Sequence, residues 1–235
     1  MKWRTWVLTI TILAAIVIAF FFPAIGQDET YHNFADHRTL LGIPNCLNTI
    51  SNIFFLFVGW LGIRFVLRKP LQTGHGFIDP IERWPYFVFF LAVFLTAFGS
   101  AWYHLRPGDT RLLWDRLPMA FGFMALVSAT LAERIGAKIG VWLLTPLLAI
   151  GAGSVLYWDV TQSHGHGDLR PYALVQFGSL LAILLLVVLF PARYTRGADF
   201  IVSLGIYGVA KLFEAADRII YGWGGIRSEE RRVGK

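Results

Sequence analysis

The sequence predicts an all-α, polytopic transmembrane helix bundle of about seven spans, and three observations predict it. Of 235 residues, 56% are hydrophobic and 15% charged, with a mean hydropathy of +0.56, a balance too apolar for a soluble domain. Long apolar runs alternate with short basic or polar stretches along the whole chain. Within two of these runs polar residues recur at helical period: Asn45, Asn48 and Asn52 at i, i+3 and i+7, and Tyr207, Lys211, Glu214 and Arg218 at i, i+4, i+7 and i+11. Each set marks one helix face turned toward a bundle interior.

Charge argues against a polyanionic partner. The formal charge is +6, but Lys and Arg lie in short clusters between apolar runs and form no continuous basic face, so no nucleic-acid partner is expected. Cys46 is the only cysteine. An intramolecular disulfide and a Cys-based metal site are therefore both excluded.

The first run, residues 5–22, follows the basic start Lys2-Trp3-Arg4 and ends at Pro23. It reads as a transmembrane helix or as a signal peptide cleaved after Gly26, so residues 1–26 form a unit of their own. Residues 27–44 are polar and non-periodic, an outer loop. The second span is 45–67, where Asn45 after Pro44 can cap the helix or face the interior. The third is 84–104 and the fourth 111–132, with Pro118 as a kink. The fifth is 140–157, followed by a loop at 159–170 carrying His164, His166 and Asp168. The sixth is 171–190 and the seventh 198–221. Inner connections hold Arg64, Arg68, Lys69, Arg83, Arg134, Lys138, Arg193 and Arg196. This bias places the N-terminus inside and the polar cluster below toward the outer face of a bacterial inner membrane.

The stretch GSAWYHLRPGDTRLLWD, residues 99–115, gathers the chemistry. Ser100 and His104 are four apart and share a helix face. Pro107, Gly108 and Asp109 supply a turn, so an antiparallel return brings Asp115 back to the depth of His104. The trio can be a metal ligand with supporting neighbours, a nucleophile with its base, or a polar clamp. A Ser-His-Asp hydrolase ranks lower, since no nucleophile elbow is present. Zinc needs about three protein ligands, and the other histidines, His32, His37, His75, His164 and His166, include no i, i+4 pair. In the seventh span Lys211 and Glu214, with Asp217 beside them, either pair with each other or with Asp115 to hold the bundle, or shape a site.

Ser100-x3-His104, then Asp115 in GSAWYHLRPGDTRLLWDRLPM, preceded by NCLNTISN at 45–52, resembles the alkaline ceramidase family of seven-span membrane zinc amidases. The resemblance covers about residues 31–222 and implies a ceramidase-like bundle over 27–222. It implies that His104 is a zinc ligand, Asp115 the base that orients the metal-bound water, and Ser100 the donor to the oxyanion. It also implies a His-x3-His pair on a last helix, which residues 1–235 do not contain. The tail SEERRVGK looks like a translated sequencing adaptor, so 223–235 are expected to be an artefact standing where that helix would begin. Family members with a calcium site carry an acidic segment before the first family helix and a Glu where Asn45 stands here. Asp36 is the single candidate calcium ligand left, so Ca2+ is not expected.

Together these readings give a membrane-embedded, zinc-dependent hydrolase of a ceramide-like lipid amide, its partners the lipid substrate and the membrane. Asn45, Asn48, Lys211, Glu214 and Asp217 are the candidate site-shaping residues. The alternatives are a non-enzymatic lipid receptor of the same superfamily and a proton-coupled transporter using Lys211, Glu214 and Asp217 as its relay.

Overall fold

The computed structural model describes residues 2–34, 38–68, 76–195, 197 and 199–216. Among the described residues every named element is helical, and six segments are long and apolar enough to cross a membrane. These are α1 (Lys2–Phe21); α2 (Cys46–Ser51) continued by α3 (Ile53–Leu67); a 3-10 turn at Pro80–Glu82 leading into α4 (Arg83–Leu105); α5 (Asp109–Arg134); α6 (Ala137–Ser163); and α7 (Arg170–Ala173) joined through a π-turn at Leu174–Gly178 to α8 (Ser179–Leu189). A further helix, α9 (Asp199–Ala215), follows. The chain is a polytopic membrane helix bundle.

Helix α5 is the axis, packed against α4, α6 and α8. Its inward positions are mostly small: Ala120, Ala125, Ala129 and Ala132 are wholly buried. Lipid is as apolar as the side chains, so close backbone approach has to supply the contact that water would drive in a soluble protein. At Gly140 of α6 an added Cβ would lie 2.4 Å from the Ala132 nitrogen. Beside it, Ser128 Oγ donates to the Gly140 carbonyl at 2.8 Å. Outward faces are apolar, as at Phe54, Phe57, Leu61 and Phe65 of α3.

Three elements depart from the periodicity. The second span breaks at Asn52, whose Nδ2 donates to the Asn48 carbonyl at 2.8 Å, taking the acceptor that the ladder needs. Helix α6 runs on to Ser163, so Asp159 is helical and the loop begins at His164; Thr161 and Ser163 hydroxyls cap the preceding carbonyls of Tyr157 and Val160. The sixth span holds a π-turn around Gln176, invisible to hydropathy because the run stays apolar on both sides.

A buried ionic network closes the end remote from His104. The Glu82 carboxylate, at the N-cap of α4, accepts from Arg193 Nη1 at 2.8 Å and from the Tyr194 hydroxyl. Arg134 Nη1 donates to the Phe190 carbonyl at 3.3 Å. The segment after α8 is thereby tied to α4 and α5. Glu82 is nearly inaccessible while Arg193 is a third exposed, so removing the carboxylate leaves a cation that can turn to water. Glu82→Ala is therefore expected to cost about 3 kcal/mol, the lower end for breaking a buried pair. Thermal unfolding in detergent micelles reads it; an unchanged midpoint would show that the network carries no stability.

Candidate active site

The site is built where α4 ends and α5 begins. At Gly99 an added Cβ would lie 2.0 Å from the Trp114 carbonyl oxygen, so the two backbones touch there. That contact sets the next residue of each helix together: the Ser100 side chain lies within interaction range of the Asp115 carboxylate. Both are buried, at 7% exposure each. His104, one turn after Ser100, is half-buried, its ring 4.7 Å from that of Phe34 and 5.2 Å from that of Tyr103. Its Nδ1 is buried with no hydrogen-bond partner.

Asn45 occupies the N-cap position of α2 in the left-handed region (φ 45°) without a side-chain cap bond, a conformation Asn tolerates better than most residues. Instead its Nδ2 donates to the His104 carbonyl at 2.8 Å, fixing the end of α4. Asn48 is half-buried and its carbonyl serves Asn52. On α9 the least exposed residues are Phe200, Leu204, Tyr207 and Lys211; of the expected stripe Tyr207 and Lys211 are among them, Glu214 is exposed because the less exposed face steps past it, and Arg218 falls outside the described residues. Tyr207 accepts from Gln176 Nε2 at 2.5 Å. Lys211 and Glu214 pair at 2.7 Å, and both lie within electrostatic range of Asp115. Asp36 and Asp217 fall outside the described residues.

Several contributors were hidden in the sequence. His32 sits in a 3-10 turn, Glu29–His32, and bridges Tyr103 Oη at 3.0 Å and Asp109 Oδ1 at 2.9 Å. Gln162 Nε2 donates to Asp109 Oδ2 at 3.2 Å and to the Gln27 carbonyl at 3.2 Å. Residues 27–34 are thus a strap across this end of the bundle. Arg116, which a topology count treats as an outer surface charge, is 5% exposed and enclosed by aromatic rings. A polar loop without period gives no signal for such bridges, and charge counting cannot tell a buried guanidinium from a solvated one.

The histidine-rich loop stays apart from this chemistry. His164 Nδ1 and His166 Nδ1 face the carbonyls of Val160 and His164 at 2.7 and 2.9 Å. Its ordering comes from Asp168, 2% exposed, which accepts from Arg170 Nε and Nη2 at 2.8 Å each.

The unpartnered Nδ1 of His104 is a donor atom of the kind a transition metal takes. Among the described residues, however, no three His, Cys, Asp or Glu side chains come together as a metal site. The described residues thus offer one imidazole and fall short of a full zinc ligand set. A family model described as Ceramidase matches residues 35–209, a span that contains Asn45, Ser100, His104 and Asp115. Searches of curated proteins and of solved structures gave no match.

The Asp168 pair carries a pH test. Its hydrogen bonds to Arg170 hold the Asp168 carboxyl below the ordinary carboxylate range. A depressed folded pKa stabilises above the unfolded value of about 3.9, and that stabilisation is lost as pH falls through the lower folded value. Hydrogen exchange of the backbone at 164–170, corrected for intrinsic rate, is expected to hold steady down to about pH 4 and to accelerate below it. Acceleration already near pH 6 would point to a histidine as the controlling group.

Proposed function

Because the chain belongs to the ceramidase family, we propose that it hydrolyses the amide bond of a ceramide-like lipid inside the bundle end where α4 meets α5, releasing a fatty acid and a long-chain amine. The observation that carries the reading is the close approach of Ser100 and Asp115, both buried, at the Gly99 crossing, inside the matched residues and one helical turn from His104.

The chain's own residues give a coherent division of labour. Asp115 is a buried ionisable group next to Ser100 and placed to take the proton of an attacking water as its oxygen bonds to the amide carbon. The Ser100 hydroxyl can turn from the carboxylate to the oxyanion that this attack creates. When the C–N bond breaks, the proton held at Asp115 passes to the departing nitrogen, so the carboxylate is regenerated. Asn45 keeps His104 at a fixed height through the carbonyl bond, and Phe34 shields its ring from one side. A zinc ion at His104, as the family resemblance implies, would supply a water ionised near neutrality. It would require ligands beyond those grouped among the described residues. Lys211 and Glu214 close on each other within α9, from i to i+3, so the pair stabilises that helix and links it to no other. We further propose the outer leaflet of a bacterial inner membrane as the side served, on the distribution of Lys and Arg.

Turnover of a fluorescent N-acyl sphingoid lipid by the membrane-reconstituted chain tests the reading. Asp115→Asn is expected to lower the rate by about 100-fold or more and Ser100→Ala by about 100- to 1,000-fold. Bound zinc should fall in His104→Ala and persist in Asp115→Asn. Absence of fatty-acid release by the wild-type chain, with lipid still bound, would favour the receptor alternative.

A further inference from the structure

Arg116 has chemistry that the hydrolytic step leaves unused. Its side chain is 5% exposed, and its guanidinium carbon lies 4.2 Å from the ring centre of Trp158, 4.9 Å from that of Tyr172 and 5.7 Å from that of Tyr31. Nη2 donates to Gln27 Oε1 at 2.5 Å. Nη1 is buried and has no acceptor. A guanidinium cannot shed its charge to escape this, and an unmet buried donor on a charged group is costly. The aromatic enclosure supplies cation–π attraction, but none of the three rings supplies Nη1 with a hydrogen-bond acceptor.

The position of that donor is informative. Arg116 directly follows Asp115, and Asp115, Tyr31 and Tyr172 all lie within its electrostatic range. Two of the groups that screen it, Gln27 and Tyr31, belong to the strap and not to the helices, so displacement of the strap would uncover Nη1 at the end of the bundle that holds Asp115. The local charges are already matched: Lys211 is paired with Glu214, and Arg116 and Asp115 lie within electrostatic range of each other. An additional anion would have no uncompensated charge to meet, whereas a neutral oxygen acceptor would satisfy Nη1 without upsetting the balance.

We propose that Arg116 is a specificity-determining residue whose Nη1 takes a hydroxyl oxygen of the amide lipid's headgroup, selecting hydroxyl-bearing N-acyl amines over plain N-acyl alkylamines. This rests on the lipid-amide reading of the site. Binding is measured by native mass spectrometry in an Asp115→Asn background, which keeps the lipid intact, with N-acyl sphinganine and with an N-acyl alkylamine of the same chain lengths. The hydroxylated lipid is expected to bind about 10-fold more tightly or better. Arg116→Gln should erase the difference by weakening only the hydroxylated lipid, and Arg116→Lys, which keeps the charge and loses the planar fork, should restore part of it. Gln27→Ala, which frees Nη2 and leaves Nη1 in place, should keep the discrimination. Equal affinity of the two lipids for the parent protein, or discrimination that survives in Arg116→Gln, overturns the assignment. If Arg116→Gln fails to fold, a discrimination in Arg116→Lys equal to the parent's overturns it. Discrimination without fatty-acid release by wild-type protein would instead sink the hydrolytic reading and leave Arg116 as a lipid-selecting group.

Discussion

The backbone contact between Gly99 and Trp114 governs the rest of the site. A hairpin of two apolar helices in lipid gains little from burying apolar surface, so what holds α4 to α5 is direct packing. The missing Cβ at Gly99 allows the Trp114 carbonyl to sit where a side chain would begin. One residue later on each helix, a buried hydroxyl and a buried carboxylate come within interaction range. A wider crossing would leave Asp115 as a buried charge without Ser100, which a membrane interior penalises heavily. Packing and chemistry are therefore the same constraint at this point.

A second layer of control comes from outside the helices. The strap at 27–34 reaches Tyr103 and Asp109 through His32, Gln162 through the Gln27 backbone, Arg116 through the Gln27 side chain, and His104 through Phe34. Its anchors sit on α4, α5 and α6, so any rearrangement of those three ends is felt by the strap, and the reverse. The exit of α1 is tied to the same region, since the Phe22 carbonyl accepts from Arg170 Nη1 at 2.7 Å and the Ile25 carbonyl from the Leu169 nitrogen at 2.9 Å. Helix α1 has no buried residue of its own. These bonds, more than packing, connect it to the bundle.

How much of this was legible in the sequence follows from which interactions are local. Ser100 and His104 share a face because four residues is one helical turn, and the return of Asp115 follows from a turn of fixed chemistry; both are short-range and readable. On α9 the same period placed Tyr207 and Lys211 on the less exposed face but also Glu214, which the structure leaves exposed. Asn45 was not resolved by sequence, because capping and facing inward make the same demand on residue type; the left-handed backbone at this position decides it, freeing the amide for the His104 carbonyl. His32 and Gln162 were unreadable. Their partners are 71 and 53 residues away, and a polar residue in a non-periodic loop looks alike whether it is solvated or bridging.

Arg116 shows where a charge count misleads and why. Positive residues report topology when they stop at the membrane surface, and the rule weighs all of them alike. A guanidinium enclosed by Trp158 and Tyr172 satisfies part of its electrostatics from ring faces, so it can lie inside the bundle without a carboxylate in direct contact. Arg134, 7% exposed at the opposite end, is held by backbone carbonyls and by the Glu133 carboxylate, 3.4 Å from its Nε. Each bundle end thus contains a buried cation held by a different kind of neighbour. At the Arg134 end the neighbours are carbonyls of the chain itself, and the cation acts as a tie. Both cations keep one donor without a hydrogen bond, but Arg134 Nε faces the Glu133 carboxylate at 3.4 Å, whereas Arg116 Nη1 lies among rings and under groups of the strap, which is where a ligand oxygen can reach it.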